Sequence, residues 1–176
     1  MVVDQRAFRD ALGKFATGVA IVTADVDGIR LGATISSFNS VSLEPPLVLF
    51  SLLRKSLGFQ QWQKAKAFCI AILGEGQHDV SNKFAKGGTD KWSEIGDKRA
   101  RNGAPMVPGA VAYFECEPYG IADGGDHEIF ICRVSAFQAT PGGAPALIFF
   151  SGKYRHLTSM EDEGKPPANN AWLHGW

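Results

Sequence analysis

Apolar positions along the chain follow a helical period at the start and a strand period through most of the remainder. Behind Asp4, Phe8, Leu12 and Phe15 stand at i, i+4 and i+7, which sets three large side chains on one helical face, and Asp4 supplies an N-cap acceptor. This pattern predicts a helix ending near Gly18. Val19 to Ala24 is rich in β-branched residues, Asp27-Gly28 is a tight-turn signal, and Leu31 to Ser37 resumes extended character, so a hairpin is expected. Pro45-Pro46 interrupts any ladder before the nearly continuous apolar run Leu47 to Leu53, a buried strand. Phe59 and Trp62 mark a short amphipathic helix, Ala67 to Leu73 another strand, and Val80 with Phe84 a second short helix. The stretch from Lys86 to Pro108, dense in Gly, Lys and Asp, reads as a long surface loop or lid. Three more strands are expected at Ala110 to Ile121, Glu128 to Gln138 and Ala146 to Ser151, separated by ADGGD and TPGGAP. Short strands without regular βαβ alternation favour a mainly β (α+β) fold, an antiparallel barrel with peripheral helices.

One stretch departs from ordinary core composition. In Gly32 to Ser42, GATISSFNSVS, six of eleven residues are Gly, Ser or Thr, while Ile35, Phe38 and Val41 keep apolar contacts. Small residues in a strand allow close approach of a ligand, and hydroxyls donate or accept as a heterocycle requires. The stretch therefore reads as a ligand wall, with the basic strand end Arg54-Lys55-Ser56 and the Gly124 to His127 sequence GGDH as further candidate chemistry. A flat ring with a phosphate tail suits that set.

Length and charge narrow the partners. The 176 residues suit one domain, placed at 1–158 with a polar tail at 159–176, and Lys plus Arg equals Asp plus Glu at 18 each. Scattered basic residues argue against nucleic acid or a polybasic membrane surface. The start, MVVDQRAFRD, carries charges where a secretory signal needs an apolar run, and no uncharged run is long enough to span a bilayer, so a cytoplasmic protein is expected. Cys69, Cys116 and Cys132 sit in apolar surroundings and read as reduced core thiols. His78, His127, His156 and His174 have no ligand spacing, so no metal is expected, and GxGxxG, P-loop, GxSxG, CxxC and HExxH signatures are missing.

GATISSFNSVSLEPPLVLF resembles the hallmark segment of the short-chain flavin reductases, the small NAD(P)H-dependent components of two-component monooxygenases that use diffusible flavin. FRDALGKFATGVAIVT, QHDVSNKFAKG, GDHEIFICRV and FFSGKYRHL follow in that family's order, so the resemblance runs from about Phe8 to Leu157. It implies an FMN-binding split β-barrel, a homodimer, FMN or FAD as flavin, and NADH as reductant with NADPH as the alternative. A separate flavin-dependent monooxygenase, acting on an aromatic or similar compound, would receive the reduced flavin. By the same resemblance Ala33, Thr34, Ile35, Ser36 and Ser37 would line the isoalloxazine, and Ser51 and Leu52 would border ring and ribityl chain. Lys55 and Ser56 would meet the phosphate, Phe84 and Lys86 would close the groove, and His127 with Tyr154 would receive the nicotinamide.

Hydride passes from nicotinamide to flavin without an obligatory protein acid or base, so His127 would assist placement and no residue need act as a catalyst. Other readings stay open. Ser36 and Ser37 also suit a solvent-facing edge strand, Lys55 and Lys86 ordinary solvated lysines, and His127 a turn residue bonded to Asp126. FMN held tightly for a protein or metal acceptor, or a flavin-binding module without turnover, are the alternative functions. Arg133, where the family more often has an acidic residue, would add a cation near the nicotinamide or point to solvent.

Overall fold

The structure, a computed structural model, describes residues 3–88, 90–142 and 144–157. Among the described residues three α-helices, α1 (Gln5–Leu12), α2 (Phe59–Trp62) and α3 (His78–Ala85), accompany β1 (Thr17–Gly18), β2 (Ala20–Val26), β3 (Ile29–Ile35), β4 (Asn39–Leu43), β5 (Pro46–Leu53), β6 (Phe68–Ile72), β7 (Ala112–Gly124), β8 (His127–Ala139), β9 (Ile148–Phe150) and β10 (Lys153–Arg155). A seven-stranded antiparallel sheet runs β3-β2-β6-β7-β8-β5-β4, and a three-stranded one runs β1-β9-β10. Strands β3 and β4 end the larger sheet without pairing to each other. The sheet is therefore not closed, the arrangement of a split barrel.

Local chemistry accounts for the main elements. Asp4 caps α1 through Oδ1, which accepts from the Arg6 and Ala7 amides at 2.8 and 3.3 Å. At the β2–β3 turn Asp25 Oδ1 accepts from Gly28 N–H at 2.9 Å, and Gly28 takes φ +81°, a value that favours glycine. The longest hairpin, β7–β8, turns at Gly125-Asp126 with Gly124 opposite His127 and Gly125 at φ +73°. Behind it Phe50 and Phe130 stack at 5.0 Å and Phe68 meets Phe50 edge-on at 5.5 Å, all three buried. Burying each such ring contributes roughly 1.5–3 kcal/mol.

Three expectations change. The first helix stops at Leu12, not near Gly18, because Thr17 and Gly18 pair with Phe149 and Ile148 of β9; Phe15 is left 78% exposed. The Gly32 to Ser42 stretch divides at 36–38 into the end of β3 and the separate strand β4. The segment from Lys86 to Pro108 is more than a surface loop, since Trp92, Ala100, Ala104, Met106 and Val107 are buried against Val19, Ile21 and Leu73 in a second core cluster. Irregular spacing of those five residues leaves no period to read. The tail placed at 159–176, with Trp172 and Trp176, lies outside the described residues.

All three thiols are free and buried. Desolvation pushes Cys69 and Cys132 up to about 12, and Cys116 higher still. Labelling of the folded protein with a thiol reagent near about pH 8 is therefore expected to be negligible, because the thiolate is the reactive form. Denaturant should release three thiols per chain. Rapid labelling of the native protein would contradict the core assignment.

Candidate functional site

The site is built on the unpaired edge of β3. In an extended strand a residue's N–H and C=O point to the same side, and successive residues alternate. The Arg30 carbonyl accepts from Trp92 Nε1 at 3.0 Å and the Gly32 carbonyl from Lys91 Nζ at 3.0 Å, so even-numbered residues face away from β2. The backbone of Thr34 shares that free edge.

Helix α3 packs on the even-numbered face of the strand. Thr34 Oγ1 donates to the Ser81 carbonyl at 2.7 Å, and the ring of Phe84 lies over Gly32. A methyl at Gly32 would fall 2.6 Å from Phe84 Cδ1 and 3.4 Å from Trp92 Cζ2, so this glycine is needed for close approach rather than for its φ. Phe84 meets Trp92 edge-on at 5.1 Å. Lys91 also donates to the Phe84 carbonyl at 2.9 Å, tying loop, helix and strand together, and burial lowers its pKa.

A cavity of about 500 Å³ lies between this edge, the end of β5, the turn after it, and the β7–β8 hairpin. Its lining brings together Ala33, Thr34, Ile35, Ser36 and Ser37 with Ser51, Leu52, Ser56, Phe84 and His127. The Ser37 hydroxyl accepts from Ser51 N–H at 3.0 Å and lies 3.2 Å from the Ser51 carbonyl, which joins the exit of β3 to β5. His127 Nδ1 lies 2.7 Å from Asp126 Oδ1. That hydrogen bond is the main cause that holds the Asp126 carboxyl below its ordinary range.

Lys55, Lys86 and Tyr154 do not line the cavity. Lys55 is exposed and its charge acts on Asp126, and Lys86 is exposed just past α3. The Tyr154 hydroxyl is 2.9 Å from both Ser81 Oγ and Asn82 Oδ1, on α3. Arg133 is exposed over the Tyr119 ring at 5.2 Å and pairs with Leu47 at the far end of β5 from His127. Six residue steps along β8 separate Arg133 from His127, roughly 20 Å, so it adds no cation there. Lys91, Leu57, Trp62 and Gly87-Gly88 join the lining, though no motif or spacing marks them as lining residues. They lie in loops or on a four-residue helix, where no period marks a face.

The family model for the flavin reductase like domain matches residues 12–158. The chain belongs to this family. Relatives of this flavin reductase include a probable flavin reductase of Rhizobium meliloti (strain 1021), 45% identical over 138 residues, which make 78% of this chain but 44% of that protein. The chain thus spans less than half of that relative's length. The reductase subunit HsaB of a flavin-dependent monooxygenase from Mycobacterium tuberculosis is 36% identical over 95% of this chain and 88% of its own. Among solved structures, the NADH:FAD oxidoreductase SgcE6 of Streptomyces globisporus C-1027, in complex with NAD and FAD fragments, superposes with a TM-score of 0.85 at 32% identity, covering 92% of this chain and 99% of that one.

The residues of this flavin reductase suit a flat heterocycle with one polar edge. The free backbone edge at Thr34 and the Ser36 hydroxyl offer hydrogen bonds, while Leu52, Leu57, Trp62 and Phe84 offer apolar walls.

Proposed function

We propose that this enzyme, a flavin reductase by family, transfers hydride from NADH to FMN or FAD bound along the free edge of β3, and that a separate monooxygenase receives the reduced flavin. The observation carrying this reading is the convergence of Ala33 to Ser37, Ser51, Leu52 and His127 on one cavity. When bound, the flavin supplies the acceptor: NADH loses a hydride and becomes NAD+, and the flavin gains two electrons and that hydrogen. The protein's part is placement. The strand edge and Ser36 fix the ring's polar side, Phe84 and Leu52 hold its apolar parts, and His127 sits where the nicotinamide meets the ring. Ser56 and the Gly87-Gly88 backbone suit the phosphate. Lys91, with two bonds committed to carbonyls, leaves one donor for it.

The relatives named as monooxygenase reductases support the separate partner, including a reductase component for 4-nitrophenol in Rhodococcus opacus, which favours an aromatic compound. A homodimer fits the uncovered apolar side chains of Phe8, Leu12 and Phe15, 55%, 59% and 78% exposed. Three unpaired core thiols and dependence on a nicotinamide support a cytoplasmic setting.

Steady-state NADH oxidation in air by the pure protein tests the reading. Saturable oxidation that requires added FMN or FAD is expected, with NADH preferred over NADPH, in keeping with the similar SgcE6, which is an NADH:FAD oxidoreductase. No oxidation with any pairing would overturn it. A stoichiometric flavin that survives dilution would point to a tightly held cofactor.

A further inference from the structure

Just beyond β5, Arg54 directs every nitrogen of its guanidinium into the β7–β8 hairpin. Nε donates to the carbonyls of Gly125 at 3.2 Å and His127 at 3.0 Å. Nη1 donates to Glu128 Oε2 and Nη2 to Asp123 Oδ1, both at 2.9 Å. The Arg54 main-chain N–H adds a bond to the Asp126 carbonyl at 2.9 Å. The turn that carries His127 is therefore held at four consecutive residues by one side chain and its backbone.

Glu128 completes the arrangement. It is 4% exposed, and its second oxygen accepts from Gln63 Nε2 at 2.9 Å, just past α2. Burying a carboxylate is costly unless it is paired, and an apolar pair would usually serve stability as well. What the ion pair adds is direction. Neighbouring side chains on a strand point to opposite faces, so fixing Glu128 inward fixes the adjacent His127 toward the cavity. Arg54 itself does not line that cavity, and its donors are committed to the hairpin rather than to a flavin phosphate.

We propose that Arg54 is a positioning residue for hydride transfer: with Glu128 and Gln63 it fixes the turn that presents His127 to the flavin groove, and so sets where the nicotinamide rests. This rests on the reading that the nicotinamide arrives at His127.

The test is a cycle of wild type, Arg54→Lys, His127→Ala and the double variant, each assayed for NADH oxidation at saturating flavin. Flavin affinity is measured alongside by fluorescence quenching. Lysine keeps the charge but cannot make the fork. Arg54→Lys is expected to raise the KM for NADH about tenfold, with kcat and flavin affinity within about twofold of wild type, and the double variant should be no worse than His127→Ala alone. An unchanged KM in Arg54→Lys, an equal loss of flavin affinity, or effects that multiply in the double variant would overturn the proposal. An unchanged KM in His127→Ala would instead remove the nicotinamide placement, and the proposal with it. If Arg54→Lys does not fold, Glu128→Gln, which keeps volume and an acceptor but loses charge, replaces it in the same cycle with the same expected pattern.

Discussion

Truncating Phe84 to alanine is expected to lower folding stability by about 3–5 kcal/mol and to weaken flavin binding in the same protein. The ring is 1% exposed, lies on Gly32 of β3 and meets Trp92 edge-on at 5.1 Å, so its removal unseats the helix, the strand and the 86–108 segment together. Phe84 also borders the cavity proposed for the flavin, so the vacated volume adds to that cavity. The wall at Ala33 and Thr34 then loses the packing that fixes its height. For a chain of this size a loss of that magnitude lowers Tm by about 6–20 °C. Urea unfolding with an unchanged slope, paired with a flavin titration, checks both halves. A stability loss below about 1 kcal/mol would mean that α3 is not anchored through this ring. An unchanged flavin affinity in a destabilised protein would detach the helix from the site.

Much of this architecture is legible in the sequence because local chemistry dictates it. Asp4, Asp27-Gly28 and the ADGGD stretch mark a cap and two turns, and the structure has a cap and a turn at the first two and narrows the third to Gly125-Asp126, since β7 runs on to Gly124. The run Leu47 to Leu53 lies within β5, central enough to pair on both sides. The density of Gly, Ser and Thr at Gly32 to Ser37 similarly translates into a strand edge beside a cavity.

What was not legible depends on partners far along the chain. Thr17 and Gly18 leave the helical pattern because β9, about 130 residues later by the pairing of Thr17 with Phe149, supplies a strand to pair with. Lys91 enters the cavity through two carbonyl acceptors, at Gly32 and Phe84, that no spacing rule connects to it. Arg54 looked like part of a basic strand end suited to phosphate. Its committed donors reveal a different task, since Asp123, Glu128 and Gln63 come within reach only once β5, β8 and α2 are assembled.

Removing one side of the Arg54–Glu128 pair is expected to be much worse than replacing both. Arg54→Met leaves the Glu128 carboxylate, 4% exposed, with Gln63 as its remaining side-chain donor. Stranding a buried charge in this way costs about 3–5 kcal/mol. The lower end is expected here, because the Arg54 side chain is 36% exposed and water can approach the vacated place. In Arg54→Met with Glu128→Leu no charge is stranded, and stability should return to within about 1–2 kcal/mol of wild type. Equal losses in the single and double variants would mean that the guanidinium stabilises through its carbonyl bonds rather than through the carboxylate. The two functions of the pair separate in that double variant. Its apolar replacements restore packing but provide no donor for the Gly125 and His127 carbonyls, so its KM for NADH should remain raised after its stability has recovered. A KM that recovers with stability would assign Arg54 to the fold alone.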